Sequence, residues 1–490
     1  MKQIKWISLL LMLAMVITAC ATVQQLPSGG TGNETDHNTD GQETVEVDLP
    51  DNLTYDGETI RLYTCENTLG VSISDFSEEN ATDVVTSALH NRMLNIEDRL
   101  GVTFELINTD VHTEMADIVS ASIGSDSDDF DMVFSPALNI VGLVQQGMFI
   151  GIEELPYIDL EKPWWGSDYI RSVSVNQDYP YIMFGDINWN YLQRCTATFV
   201  NLRLLDDTLH MTSADMYNLV FNDEWTQDKM FELQSGVYSD VDGSTTRNEG
   251  DIFGFVHCGN WFFEYMMFGS GLTFTGRDNN GYPTLELNNQ KTHDCIDSVG
   301  RFFWRNKNGI MSNDYAKVFA RGEALFMVNR IFLSDWDDLR EMKDQYAIIP
   351  VPKYAETSEG YHCVVEKLVQ WGVVPVTAKR TEMISAVAEL MAYEGYKNVT
   401  PAYYETTLKI KRLTDEEEIE SAKKVIDIIC RGARTDFMYI NELNGMENIF
   451  TYVCNEYQNK FASLYAEHEV PAEMKLSELI ERDMELQQGR

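Results

Sequence analysis

The side chains whose spacing could do chemistry are mostly acids. Asp240, Asp242, Ser244 and Asp251 stand at positions 1, 3, 5 and 12 of a loop pattern that can wrap a calcium ion in oxygen ligands. Thr245 takes the sixth position, where a glycine normally permits the sharp turn, and Ser244 offers a hydroxyl where a carboxylate would bind harder. The loop is thus a weak calcium candidate, a polar surface turn being the better account, and no other metal site is expected. Familiar catalytic signatures are missing: the sequence has no HExxH, no G-x-S-x-G and no phosphate-binding P-loop. Gly269-Ser270-Gly271 lacks the third glycine of a dinucleotide fingerprint, and the eight histidines show no ligand spacing. Paired carboxylates could serve glycoside hydrolysis, but among 78 Asp and Glu their proximity in sequence carries no information. Neither a catalytic residue nor a cofactor is expected.

The elements that must position a site are regular. Ile60-Arg61-Leu62-Tyr63-Thr64 alternates like a strand, and Val85, Leu89, Met93, Ile96 and Leu100 form one helical stripe ending at Gly101. Val102–Ile107 and Asp131–Phe134 are further strands, with helices marked by Met115, Ile118, Val119 and Ile123 and by Leu138 to Gln146. This alternation predicts a parallel sheet with helices on both faces. The middle is rich in aromatic residues and loops, at Trp164-Trp165, Trp189-Asn190-Tyr191 and Trp261-Phe262-Phe263-Glu264-Tyr265. Beyond Val373 helices are expected over 380–395, 415–431, 446–467 and 473–487.

Composition narrows the partners. The chain has 490 residues, a net charge of −41 and 44% hydrophobic residues, enough apolar side chains for a large core. So acidic a chain lacks the basic clusters that neutralise phosphates, which excludes nucleic acid. It disfavours anionic polymers as well, leaving neutral or cationic small molecules.

Lys2 and Lys5 precede an apolar run from Ile7 to Thr18, too short to span a bilayer but of secretory-signal length. Its end, Ile17-Thr18-Ala19-Cys20, resembles a bacterial lipobox. That resemblance implies a signal peptide over 1–19 and a diacylglyceryl anchor on Cys20, with the membrane touched only through the lipid. Residues 20–55 read as the lipidated cysteine and a disordered polar tether. The seven other cysteines (65, 195, 258, 295, 363, 430 and 454) form no CxxC and are odd in number, so buried free thiols are expected.

The most specific stretch is Phe319-Ala320-Arg321-Gly322-Glu323-Ala324-Leu325-Phe326-Met327-Val328-Asn329, followed by Pro350-Val351-Pro352-Lys353. It resembles the F-x-x-G-K-A-A-M and P-x-P-K signatures of family 1 extracellular solute-binding proteins, the maltose-binding-protein-like group of bacterial ABC importers. Phe130–Val133, Gln146–Ile152, Thr198–Leu205 and Trp225-Thr226 match weaker family elements in the same order. The resemblance implies an α/β periplasmic-binding-protein-like type II fold: two doubly wound lobes, crossing hinge strands and a ligand cleft between them. Lobe one would take 56–197 plus 352–395, and lobe two 198–348 plus 396–490.

The same resemblance implies a non-enzymatic monomer that captures a neutral carbohydrate, an oligosaccharide, for permease subunits in the membrane. A sensing or adhesion lipoprotein, or a peptide or polyamine binder, are the alternatives. Sugars present C–H faces and hydroxyl rims, which call for flat aromatic platforms and planar polar groups. Trp261 would lie in a loop, with Phe332 and Trp371 as further stacking residues. Trp189 and Tyr191 would sit near the first crossover with Asp186 and Arg194 as polar partners. Glu66, Asn67 and Ser135 follow strands and would face the cleft.

Overall fold

The computed structural model describes residues 45–65, 79, 81–304, 308–356, 358, 360–410, 416–456 and 458–489. Two sheets organise the body that begins at Glu46. The first contains β1 (Glu58–Cys65), β2 (Val102–Thr109), β3 (Met132–Pro136) and, from far along the chain, β9 (Gln370–Val373). Its order is β9-β3-β1-β2, parallel except for β9. The second contains β4 (Thr196–Asn201), β5 (Phe253–His257), β6 (Gly309–Met311), β7 (Ala324–Arg330) and β8 (Tyr346–Pro350), ordered β8-β4-β7-β5-β6. β5 runs parallel to β6 and β7, whereas β4 is antiparallel to both its neighbours.

Local sequence explains the elements. Along β1, Ile60 and Leu62 join one core while Tyr63 and Cys65 join another, as a period of two requires. The helix Val84–Leu100 starts on Asp83, whose carboxylate accepts from the backbone N–H of Val85 and Thr86 at 2.8 and 2.9 Å. It stops at Gly101, which adopts φ +60°. Gly322 sits at φ +76° between the helix Tyr315–Ala320 and β7, and a Cβ there would lie about 2.5 Å from the Asp344 and Arg203 side chains. The sharp turn inferred from the Phe319–Asn329 stretch is present.

The C-terminal helices differ from expectation. Met446–Asn448 and Ile449–Asn455 are short, and one 28-residue helix then runs from Phe461 to Gln488 through Pro471. Pro471 removes a single intrahelical bond, and the Asn444 amide donates to its carbonyl at 2.9 Å. Near its start this helix meets the second sheet's side, where Phe461 packs edge-on to His293 at 4.9 Å. Near its end it meets the first, where the Tyr181 hydroxyl donates to Asp483 at 3.5 Å and Arg482 donates to the Gln146 carbonyl at 3.3 Å. Among the described residues no helix is long and apolar enough to cross a membrane. The seven cysteines are free thiols, all but Cys258 buried.

Trp164 and Trp165 are core residues whose indoles donate to opposite oxygens of Glu389 at 2.9 and 2.8 Å. Burial pushes that carboxyl up to about 7, against the pull of the two indoles. Burial does the same to Asp186, up to about 7, and Asp335, up to about 6. Each holds its proton more tightly folded than unfolded, so stability is lowest above the folded pKa and rises as pH falls toward the unfolded one. We therefore expect the Tm to rise on acidifying from about pH 8 to about pH 5, and Glu389→Gln to flatten that slope. A Tm that falls over the same window contradicts the assignment.

Candidate functional site

β5 and β7 are parallel neighbours, so their carboxyl ends share one edge of the second sheet. After β5 the chain turns at Gly259, φ +77°, into the helix Asn260–Phe268. That helix buries every side chain from Phe262 to Phe268, leaving Trp261 in its first turn 46% exposed. β7 ends at Arg330, whose guanidinium carbon lies 5.8 Å from the centre of the Trp261 ring.

The antiparallel partner β4 begins where β7 ends, in register Thr196 with Arg330. The residue pair just before β4 therefore joins the same edge. Ile331 donates its N–H to the Cys195 carbonyl at 2.9 Å, and the Arg194 guanidinium lies 5.2 Å from the Phe332 ring. The returning chain closes the arrangement, with Glu366 N–H donating to the Arg194 carbonyl at 3.2 Å. One oxygen of Glu366 faces both guanidiniums, 3.6 Å from Arg194 and 3.7 Å from Arg330. Lys367 holds its ammonium 4.5 Å from the Tyr439 ring.

Of these, Trp261, Arg330, Glu366, Lys367 and Tyr439 border a cavity of about 220 Å³. Its remaining wall is Glu264 and Tyr265 with Asn448 and Thr451 from the C-terminal helices. The Thr451 hydroxyl donates to Glu264 and itself accepts from the Asn260 amide at 3.4 Å. Burial raises the Glu264 carboxyl above its usual range, while Thr451 and Lys367 act against that rise. The cavity offers an exposed indole face, buried phenols and several hydrogen-bonding groups of both charges. Such a set can stack on a ring and read its hydroxyls.

Of the residues expected at a site, Trp261 lines this cavity, while Arg194 meets only its Glu366 wall, at 3.6 Å, with Phe332 against Arg194. Trp261 lies on a helix and not in a loop, because the apolar run after it buries almost all round. Five others need correcting. Trp371 is 1% exposed in β9, with its indole N–H donated to the Tyr169 hydroxyl at 3.1 Å. Ser135, its register partner on β3, is fully buried. Trp189 packs on Tyr403 at 5.5 Å and Tyr191 on Phe184 at 5.2 Å, both buried. Asp186 accepts from the Thr400 hydroxyl inside the same core. Trp371 and Ser135 face each other in a strand pair inside the core, while 186–194 folds into two short helices, the first packed against 381–399 and the second against 331–335, which leaves no open loop for a ligand to meet. Glu66, Asn67 and Cys20 lie outside the described residues.

Sequence reasoning missed Arg330, Glu264, Tyr265, Glu366, Lys367, Tyr439 and Thr451. Glu264 and Tyr265 carried a usable signal, being a helical turn from Trp261 in a run already singled out. The others carried none, since segments far apart in the sequence bring them together: Arg330 ends β7, Glu366 and Lys367 precede β9, and Tyr439 and Thr451 lie on helices near the C-terminus.

The aspartate loop does converge. Carboxylate oxygens of Asp240, Asp242 and Asp251 lie within 4.8 Å of one another. Thr245 adopts the left-handed φ of +61° that a glycine would take there. Ser244 turns its hydroxyl to the Thr246 carbonyl at 3.0 Å. The loop's own N–H groups already serve all three carboxylates, Gly243 and Thr245 on Asp240, Ser244 on Asp242 and Val241 on Asp251.

No family model matches the sequence, and no curated protein matches it. Solved structures do match over most of the chain. UgpB from Mycobacterium tuberculosis, in complex with glycerophosphocholine, is 12% identical, covers 87% of this chain and all of its own, and superposes with a TM-score of 0.51. The maltose/maltodextrin-binding domain MalE from Bdellovibrio bacteriovorus, bound to maltotriose, is 13% identical over 86% of this chain and all of its own, at 0.51. A cyclo/maltodextrin-binding protein complexed with maltotetraose reaches 0.54 at 12% identity, over 86% of this chain and 98% of its own. The chain has the α/β two-lobe periplasmic-binding-protein fold. That is the fold expected from the Phe319–Lys353 signature.

Proposed function

We propose that this chain is the extracellular substrate-binding lipoprotein of an ABC importer, tethered through Cys20 and delivering a carbohydrate to membrane permease subunits. The observation that carries the reading is the half-exposed Trp261 face beside Arg330 and Glu264, at the carboxyl ends of β5 and β7. Aromatic platform and planar hydrogen-bonders meet there in one cavity, the combination a pyranose needs. Maltotriose and maltotetraose in two solved structures of the same fold support a sugar, and glycerophosphocholine in a third shows that the fold takes other solutes as well.

The lobes would be 56–197 plus 352–395 and 198–348 plus 396–490, with Arg194 and Glu366 on the two crossings between them. A ligand touching groups from both lobes favours the closed arrangement by its extra contacts there, which shifts the population toward it. Glu366 and Lys367 on one side of a sugar and Trp261 on the other would supply that differential.

The test is thermal stability of the soluble chain from about residue 50 against oligosaccharides, polyamines and peptides. A ligand at 100 times its Kd adds about 2.7 kcal/mol, a readable rise in Tm. One glycan class is expected to raise the Tm and to be recovered intact. A rise with a polyamine or peptide alone sinks the carbohydrate assignment, and a glycan recovered cut sinks the binding-only role.

A further inference from the structure

Taking the cleft as the carbohydrate site, we propose that it reads a single pyranose ring, so that the solute is a neutral monosaccharide and not the oligosaccharide that the family resemblance implies. The inference rests on that reading of the cavity and narrows it to one ring.

Size comes first. The cavity measures about 220 Å³. Sites that enclose a drug-sized ligand run from about 300 to 1,000 Å³. A trisaccharide is itself of drug size, whereas one pyranose is well below it. The space suits one ring.

The aromatic faces give the same count. An oligosaccharide site lays successive rings on successive aromatic platforms. Of the five aromatic residues expected as platforms, Trp261 alone borders the cavity. Trp371, Trp189 and Tyr191 are core residues, and the Arg194 guanidinium stands 5.2 Å from the Phe332 ring. Two further aromatic residues on the wall offer no second face. Tyr265 is 2% exposed, and the Lys367 ammonium lies 4.5 Å from the ring of Tyr439, itself 3% exposed. Among the described residues that border the cavity, one aromatic face is free to stack.

The polar groups suit a ring without charge. Arg330 and Lys367 donate only, and Glu264 and Glu366, when ionised, accept only. Two charges of each sign balance, so a neutral solute enters without leaving a net charge uncompensated. A sugar hydroxyl both donates and accepts. Arg330 and Glu366 come within 3.7 Å of each other, so adjacent hydroxyls of one ring can meet both.

The experiment is calorimetric titration of the body from Glu46 onward. The probes are glucose, galactose, mannose, xylose and N-acetylglucosamine, each beside its β-1,4-linked di- and trisaccharide, with maltose and maltotriose added. One monosaccharide is expected to bind at least as tightly, within about threefold, as its own di- and trisaccharide, because added rings find no second platform. Trp261→Ala should lower affinity by one common factor at every chain length, since all lengths stack the same ring. Affinity that climbs about tenfold or more from one ring to three overturns this inference and leaves the carbohydrate reading intact. A trisaccharide that keeps its affinity in the alanine variant, while the monosaccharide loses it, overturns the inference in the same way. No binding by any sugar of any length overturns both.

Discussion

Replacing Trp261 by alanine is expected to weaken glycan binding about a hundredfold, a loss of about 2.7 kcal/mol. The Tm without ligand should stay within a degree or so of the parent. The two halves of this expectation have separate causes. Trp261 is nearly half exposed, and its helix is anchored by Phe262, Phe263, Tyr265 and the residues beyond, so truncation opens no core cavity. The lost ring is, by contrast, the flat surface a sugar would cover, with the Arg330 guanidinium 5.8 Å away to fix the sugar's edge. Trp261→Phe should recover part of the affinity, since a smaller ring keeps a stacking face. Calorimetric titration of the two variants reads the result directly. An alanine variant within threefold of the parent would move the ligand elsewhere.

Glu366→Ala is expected to cost folding stability on the scale of about 3–5 kcal/mol, the range for removing one partner of a buried ion pair. Here a single carboxylate faces two guanidiniums. Arg194 is 2% exposed and Arg330 9%, so without Glu366 water reaches neither well, and two like charges remain side by side. Burial already draws the Arg194 guanidinium below its ordinary pKa, with Glu366 resisting that pull. The position is also where the returning chain hydrogen-bonds to the outgoing one. Urea unfolding of the variant should show a clearly lower midpoint, and a change under about 1 kcal/mol would mean the two arginines find other partners. Loss of binding in this variant would say nothing of ligand contact unless read at a temperature where it is folded.

Much of this architecture was legible because it is local. The capped helix Val84–Leu100, the turn at Gly322 and the alternation along β1 each depend on a few adjacent residues. Thr226 likewise starts the helix Gln227–Gln234 by accepting from the Lys229 N–H, as its place after Trp225 suggested. The site was legible only where a residue follows a strand end closely, as Trp261 does. Trp371 and Trp189 show the limit. An indole on a strand is equally suited to a core or to a cleft, and only the packing of distant segments over it decides. Glu366 and Arg330 show the converse, for their approach depends on Arg330 pairing with Thr196 of β4 while Glu366 hydrogen-bonds to Arg194 just before β4. The C-terminal helix was divided in the reading at Pro471, whereas the chain carries its contacts straight through that proline.

That helix, Phe461–Gln488, has a mechanical consequence. At 28 residues it spans about 42 Å and is fastened at one end beside His293 and at the other beside Tyr181 and Gln146. Gly147 lies so close beneath it that an added Cβ would meet the Leu486 side chain at 2.4 Å. A stiff rod pinned to both halves of a clamp shortens very little, so the halves cannot swing apart like an unbraced hinge. They can pivot about the rod's long direction or yield at Pro471, where one backbone bond is already missing. In the binding role proposed above, such a brace would trade amplitude for readiness: less motion to drive when a ligand arrives, and a jaw kept near the shape that grips it.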